Sequence, residues 1–555
     1  MFAAGANSHP NSHPYSAGEG PLVLNESRLP WLLGIFGAGW LFFLAWCALT
    51  PPFDNIEQLI WMRSLEWGYF KHPPLPTWIL AAASWVVPAG PPLTYFLGAC
   101  CILGAHAVFW HVLRDAHGPR VATAMLLASL CITFYNQRIH FYNHNVVMMP
   151  AIAVCVAMMW QLTRRSSHFA RAALPPGTHA QAGLHHTPPG GSGVWWAWAV
   201  IGVAMGLGML VKYQMALVGI CIGLWWLRMR WWREPGHRWG LLLASVITSA
   251  IFLPHLLWLI HHDWLPLRYA EKSSLGVALS PLKRLTSSLT WVADWLLNRS
   301  MPAWLVLGAT VGWAARRSSK NRAGAAEAQR APTDSPDAAP PPVWRQFWLL
   351  FGLFPLLSMA ALGLGFGADL QMHWGTAFAM WTLTVLLALA PKTLVLLRTP
   401  AAMRAVWVAF AVIQTLIVLQ FWVSSPRGLP AYKTGHWPHF PSQEIADKLG
   451  PIARAELGGP IDIIAGRSAI AGAIALRLPE WPKVLINGDL QTSPWISAEE
   501  LKNARVIEVF PALELPPGAH WLGRGFAWRV GLSPLSRLQA KDLRPREPEP
   551  ARNGN

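Results

Sequence analysis

Charge is what this chain lacks. Of its 555 residues, 53% are hydrophobic and only 13% are charged, where a soluble protein of this size carries about 25% charged residues. That deficit excludes a soluble globular protein, whose surface meets water on every side. Acidic residues are the scarcer kind, 27 Asp and Glu against 44 Lys and Arg, giving a formal net charge of +17. Such a balance in a soluble protein would point to nucleic acid. Here the basic residues fall in short segments between apolar runs, where anionic headgroups and the positive-inside rule account for them, so nucleic acid is excluded as a partner. Cysteine is sparse too. Cys47, Cys100, Cys101, Cys131, Cys155 and Cys221 all lie in apolar stretches without metal-ligand spacing, which excludes a disulfide framework and leaves small buried hydrophobes. Residues 1–29 lack the charged-then-apolar layout of a cleaved signal, so the first apolar run, Trp31–Leu49, stays as a helix.

What the chain has in abundance is apolar runs close to the ~20 residues that cross a ~30 Å hydrocarbon core. Spans are expected over 31–50, 77–88 with 92–113 (a hairpin or re-entrant element leading into a full span), 121–136, 145–162, 195–211, 213–229, 239–260, 302–314, 346–366, 374–391 and 404–424, about eleven crossings. The segment 302–314 is the shortest of the fully separate spans. Tryptophans gather at span ends, as in Trp195-Trp196, Trp225-Trp226 and Trp231-Trp232, where interfacial anchors sit. With the N-terminus in the cytoplasm, every cytoplasmic connection is basic: Arg114 and Arg120; Arg164, Arg165 and Arg171; Arg228 to Arg238; Arg316 to Arg322; Lys392 to Arg404. The positive-inside rule then puts loop 51–76, the 137–144 turn, loop 261–301 and the C-terminal part outside.

Composition divides the chain further. Residues 1–29 read as a disordered cytoplasmic N-terminus, 30–424 as the membrane domain, 425–540 as a small extracytoplasmic α/β domain, and 541–555 as a disordered tail. Residues 166–194 (rich in His, Gly and Pro) and 318–342 (rich in Ala, Pro and Arg) read as disordered cytoplasmic linkers. The histidines at 9, 13, 179, 185 and 186 lie in or beside such segments, which cannot form a rigid metal site. In the α/β part, helical stretches at Ser442–Leu457 and Ala498–Asn503 alternate with strand-like runs at Ile461–Ala465 and Val484–Ile486.

The chemistry concentrates in the first outer loop, Pro51-Pro52-Phe53-Asp54-Asn55-Ile56-Glu57-Gln58 and onward to Trp67-Gly68-Tyr69-Phe70-Lys71-His72-Pro73-Pro74-Leu75. Apolar residues at 56, 59, 60 and 62 predict an interfacial helix over 54–66, with Asp54 and Glu57 on one face at i and i+3. Asp54 as a helix N-cap is the purely structural alternative. Two carboxylates at the outer membrane surface stand at the depth of a lipid-linked phosphate. There one carboxylate can take the proton of an attacking hydroxyl, while the other orients the acceptor or holds a divalent metal ion. Arg63, Lys71, His72, Arg138 and Lys212 are candidates to neutralise a departing phosphate. The turn Tyr135–Asn145 is dense in hydrogen-bonding groups that belong in a wet cavity at this depth. His140, Asn143, Asn145, Asp369 and His373 are therefore the expected cavity residues. No spacing matches a known metal motif.

At these residues the chain resembles the bacterial family 39 glycosyltransferases, relatives of the dolichyl-phosphate-mannose protein mannosyltransferases and the lipid A aminoarabinose transferases. The resemblance rests on Phe53–Gln58, Trp67-Gly68-Tyr69, His72–Leu75, Asn143 and Asn145, Gly206–Tyr213 and Ser493-Pro494-Trp495-Ile496, and runs from about residue 30 to 510. It implies a C-type membrane glycosyltransferase fold and inverting transfer from a polyprenyl-phosphate-linked sugar, with Asp54 at the catalytic position and Glu57 its partner. It further implies an acceptor (lipid A, protein or envelope glycan) on the outer side of a bacterial inner membrane. Many relatives carry Asp-Glu in tandem in this loop; here Asn55 follows Asp54, and the glutamate comes at 57. The competing expectation is a transporter or flippase of lipid-linked sugars, which would call for internal repeats and polar groups near the midplane. No repeat is visible, and the polar clusters lie at span ends.

Overall fold

The computed structural model describes residues 21–166, 192–275, 279–325, 342–430, 436–523 and 525–533. The expected disordered segments fall largely outside these residues, as do the histidines at 9, 13, 179, 185 and 186. One expectation is corrected. The helix Met301–Ala325 runs through 318–325, assigned above to a linker.

Most of the described residues lie in helices. We label α1 (Leu29–Cys47), α2 (Phe53–Trp61), α3 (Leu75–Ala83), α4 (Pro91–His117), α5 (Pro119–Ser129), α6 (Thr133–Asn136) and α7 (His144–Arg165). Among the described residues, seven helices are long and apolar enough to cross a membrane: Leu29–Cys47, Pro91–His117, His144–Arg165, Gly193–Val211, Pro235–His261, Val343–Phe366 and Pro400–Ser424. The bent pair Ala379–Leu389 and Pro391–Leu397, at 102°, brings the number to eight if it forms one span. The chain is thus a multi-pass membrane protein. The expected crossings at 121–136 and 374–391 are each broken into short helices, and 77–88 is the short helix α3 followed by a separate long α4.

Proline and glycine set these boundaries. Pro91 and Pro92 open α4 after Gly90, and Gly118 closes it at φ +88, a left-handed position that costs glycine little. Pro51 and Pro52 end the approach from α1 and start α2, with Pro52 as the N-cap, because a fixed φ suits a helix start.

The basic residues of the loops away from the site gather at the opposite end of the bundle. There Arg164 pairs with Asp115, Arg120 reaches the Arg398 carbonyl at 3.2 Å, and Arg114 binds Glu26 at 2.6 Å.

The C-terminal part is a five-stranded sheet in the order β2-β1-β3-β5-β4, with β1 (Ile463–Gly466), β2 (Lys483–Ile486), β3 (Val506–Pro511), β4 (Ala519–Gly523) and β5 (Phe526–Val530). β2, β1 and β3 are parallel, and β5 and β4 complete it antiparallel. Helices Ser442–Leu457 and Ser468–Ala475 pack beside it. The Ser493–Ile496 motif is structural here: Ser493 Oγ accepts the Ile486 N–H at 2.9 Å, and Trp495 Nε1 donates to the Val484 carbonyl at 2.8 Å.

α2 belongs to both cores. Its Leu59 packs with the helical bundle, while Ile56, Ile60 and Trp61 are part of the core of the α/β domain. A Cβ at Gly472 would run into Ile56 and Ile60, so the Ser468–Ala475 helix lies directly on α2. Asn55, fully buried, fixes the other side. Its Nδ2 donates to Thr94 Oγ1 (2.8 Å) and the His140 carbonyl (2.9 Å), and its Oδ1 accepts the Tyr142 N–H (2.9 Å). Asn55→Ala leaves the His140 carbonyl and the Tyr142 N–H without this partner, and a buried orphan costs about 1–3 kcal/mol. Thermal unfolding in detergent is expected to show a clear fall in midpoint; a midpoint equal to wild type would show that Asn55 does not hold α2.

Candidate active site

Asp54, the second residue of α2, does not cap it: Pro52 is the N-cap, and no side chain bonds the first-turn amides. The capping alternative is thereby replaced by a different partner. Asn143 Nδ2 donates to Asp54 Oδ2 at 2.7 Å, while Asn143 Oδ1 accepts the N–H groups of Asn145 (3.1 Å) and Val146 (3.0 Å) as the N-cap of α7. One asparagine thus both starts a membrane helix and orients the acid. Only one Asp54 oxygen is used, and the other is free of protein hydrogen bonds among the described residues.

Asp54 opens onto a narrow polar cleft of about 320 Å3, its open mouth included, lined by Asp54, Glu57, Gln58, His72, Asn143, His144, Asn145, Lys212 and His373. The i, i+3 spacing puts Asp54 and Glu57 on its wall together. Glu57 is buried, and its Oε1 accepts from Lys71 Nζ (2.5 Å) and Ser468 Oγ (2.7 Å). Gln58 is held by Thr77 at 2.8 Å. The rings of His72 and His144 lie 3.9 Å apart beside Trp61. Opposite, Lys212 follows the Ser192–Val211 helix in extended backbone before a 3₁₀ turn at Tyr213–Met215. Its Nζ donates to Asn145 Oδ1 at 2.6 Å and stands 5.3 Å from the Trp374 ring.

Burial governs the protonation of these groups. It brings the Lys212 ammonium down to about 7, against a small upward pull from Asp54. Burial, then His144 and Lys212, push His72 well below the usual histidine value, and burial with Lys212 and Arg138 brings His373 down to about 3. Both imidazoles are neutral at physiological pH, each with one N–H to give. Burial works against the Lys71 ammonium as well, but Glu57 beside it outweighs that and holds its pKa above the ordinary lysine value.

Several expected residues take other places. Arg63 is exposed, stacks 4.0 Å over Trp481 and donates to the Trp481 carbonyl at 2.8 Å, so it ties α2 to the α/β domain. Arg138 lies over Phe134 and Phe141, outside the residues that line the cleft. His140 is buried edge-on against Tyr95 and Phe141. Asp369 is linked through its backbone N–H to the Ser274 carbonyl at 2.7 Å. Gln58, His144 and Ser468 were not singled out from sequence. The first two lie within the Phe53–Gln58 and Tyr135–Asn145 segments, whereas nothing near Ser468 in sequence marks it.

A divalent ion does not fit the groups present. Among the described residues, no three His, Cys, Asp or Glu side chains are arranged to hold one. One Glu57 oxygen is already bonded by the Lys71 ammonium, and Lys212 lines the same cleft.

No protein-family model matches the chain. It is 23% identical over 243 residues to the lipid A galacturonosyltransferase RgtD of Rhizobium johnstonii, a match covering 41% of this chain and 43% of that protein; the chain thus aligns with less than half the length of this curated relative. Among solved structures, it is similar to ArnT from Cupriavidus metallidurans bound to undecaprenyl phosphate, with a TM-score of 0.51 at 14% identity, covering 92% of this chain and 99% of that one. The apo form of the same ArnT gives 0.50 at 13% identity over 91% and 98%. The fold of this chain, a helical membrane bundle followed by a small C-terminal sheet, is thus similar to that of ArnT.

Proposed function

We propose that this protein is a membrane glycosyltransferase that moves a sugar from a polyprenyl-phosphate-linked donor to an extracytoplasmic acceptor. Lipid A is the leading acceptor, since RgtD acts on it. The undecaprenyl phosphate bound by ArnT supports the donor class. The single observation that carries the reading is the Asp54 carboxylate, held by Asn143 at one oxygen and facing a cleft whose other wall is Lys212.

In this reading the acceptor hydroxyl lies against the free oxygen of Asp54. As its oxygen bonds to the anomeric carbon, its proton passes to Asp54. The bond from that carbon to the phosphate oxygen breaks, and its electron pair leaves with the phosphate. The donor is a phosphodiester with one negative charge and the released lipid phosphate carries up to two, so the site must stabilise one developing charge. Lys212 supplies a cation, and the neutral His72 and His373 rings supply N–H groups. A single displacement on one face inverts the anomeric centre. No step requires a metal.

The site residues and the α/β domain share one end of the bundle, while Arg114, Arg120 and Arg164 mark the other. Under the positive-inside rule this supports a site on the outer face of a bacterial cytoplasmic membrane. A flippase would need such groups along a path through the bundle, whereas here they collect at one end.

Asp54→Asn keeps the size and the Asn143 neighbour but removes the base. In membrane vesicles from the native host, read by mass spectrometry of lipids and envelope glycans, it is expected to lower product formation by about 10²–10⁴-fold. Product at the wild-type level would overturn the assignment. The Lys212 value fixes a pH dependence. The ammonium is present below about pH 7 and lost above it, so affinity for a phosphodiester, whose own charge is constant here, should fall as pH rises from 6 to 9. Lys212→Arg, charged throughout, should flatten that curve in a binding titration with an undecaprenyl phosphodiester; the same slope in both proteins would remove Lys212 from the phosphate site.

A further inference from the structure

The α/β domain reaches the cleft through one side chain. Strand β1 ends at Gly466, whose φ of +154 and close approach to the Val509 carbonyl leave no room for a Cβ. Arg467 remains extended, and the helix Ser468–Ala475 begins immediately afterwards. This is the carboxyl end of a parallel strand flanked by parallel neighbours on both sides, the place where open α/β sheets present side chains to ligands. Here the turn aims Ser468 Oγ at Glu57 Oε1, 2.7 Å away.

The contact is fixed from both directions. Gly472, one helical turn on, is pressed against Ile56 and Ile60 of α2. Arg477 donates to the Leu49 carbonyl at 3.1 Å, and Thr50 donates to Ser442 Oγ at 2.8 Å, so the domain also grips the segment that leads into α2. Lys71 and Ser468 both use the same Glu57 oxygen. Oε2 has no protein hydrogen bond among the described residues, and Glu57 lines the cleft with Asp54.

We infer that Ser468 is a positioning residue: with Lys71 it holds one oxygen of Glu57, so that the other is presented at a fixed place as acceptor for a hydroxyl of the sugar or acceptor substrate. The C-terminal domain thereby completes the active site rather than only sitting above it. Lys71 is assigned to Glu57 by the same geometry, leaving Lys212 as a cation of the cleft with no carboxylate in ion-pair contact among the described residues. The inference rests on the transferase reading above.

The test uses full-length protein in membrane vesicles of the native host, which supply the natural donor and acceptor, with product read by mass spectrometry. A hydrogen bond to a charged group is lost in Ser468→Ala, and product formation should fall by about tenfold. Ser468→Thr, which keeps the hydroxyl, should restore it to within about twofold. In a Glu57→Ala background, Ser468→Ala should add almost nothing, because the two residues act as one unit. Thermal unfolding confirms that each variant is folded; if Glu57→Ala is not, the comparison of Ala with Thr at 468 decides. The inference is overturned by wild-type rates in Ser468→Ala, by equal losses in the Ala and Thr variants, or by an undiminished Ser468→Ala effect without Glu57. Asp54→Asn in the same vesicles separates the two claims: its full activity would remove the transferase reading, whereas its inactivity beside an unaffected Ser468→Ala would remove only this one.

Discussion

The site depends on one short helix held between two hydrophobic cores. α2 has nine residues, too few to be stable alone, since helices below ~12–15 residues are marginal in water. It persists because opposite faces are buried in different bodies: Leu59 in the helical bundle, and Ile56, Ile60 and Trp61 in the α/β domain. Asn55 then fixes its rotation through three hydrogen bonds to α4 and to the turn before α7. With the rotation set, Asp54 and Glu57 can face only the cleft. The departure from a tandem Asp-Glu acquires a physical reason. The position after Asp54 is taken by an asparagine that anchors the helix, and the second acid lies one helical turn on, on the same face.

The cleft places opposite charges at short range in a partly desolvated setting. Burial keeps its histidines neutral and makes the Lys212 charge marginal. An arriving phosphate would restore that charge by pairing with it, so the electrostatic gain comes with the substrate rather than before it. Among the described residues, Glu57 pairs with Lys71 and Ser468, whereas Asp54 is held by Asn143. The two carboxylates, alike in sequence, therefore take separate roles from their neighbours.

Local signals carried the sequence reading a long way. Apolar runs marked the long spans; Pro51-Pro52 and the apolar residues at 56, 59 and 60 marked α2; the i, i+3 spacing put both acids on one wall. The density of amides at Asn143 and Asn145 marked the turn that meets them. What sequence could not supply were contacts made by docking. Ser468 is 411 positions from Glu57 and looks like any helix-start serine. Arg63 and His140 carry chemistry suited to a phosphate or sugar, but Trp481 and the rings of Tyr95 and Phe141 claim them. Broken helices at 119–136 and 372–397 were equally hidden, since an apolar run reads the same whether or not its backbone bends.

The central claim is a single displacement at the anomeric carbon with Asp54 as base. The most direct measurement is the anomeric configuration of the transferred sugar, by NMR of the isolated product, against that of the polyprenyl-phosphate donor from the same membranes. The account predicts inversion. Retention would require a covalent sugar–enzyme intermediate or a second acid–base pair and would contradict it.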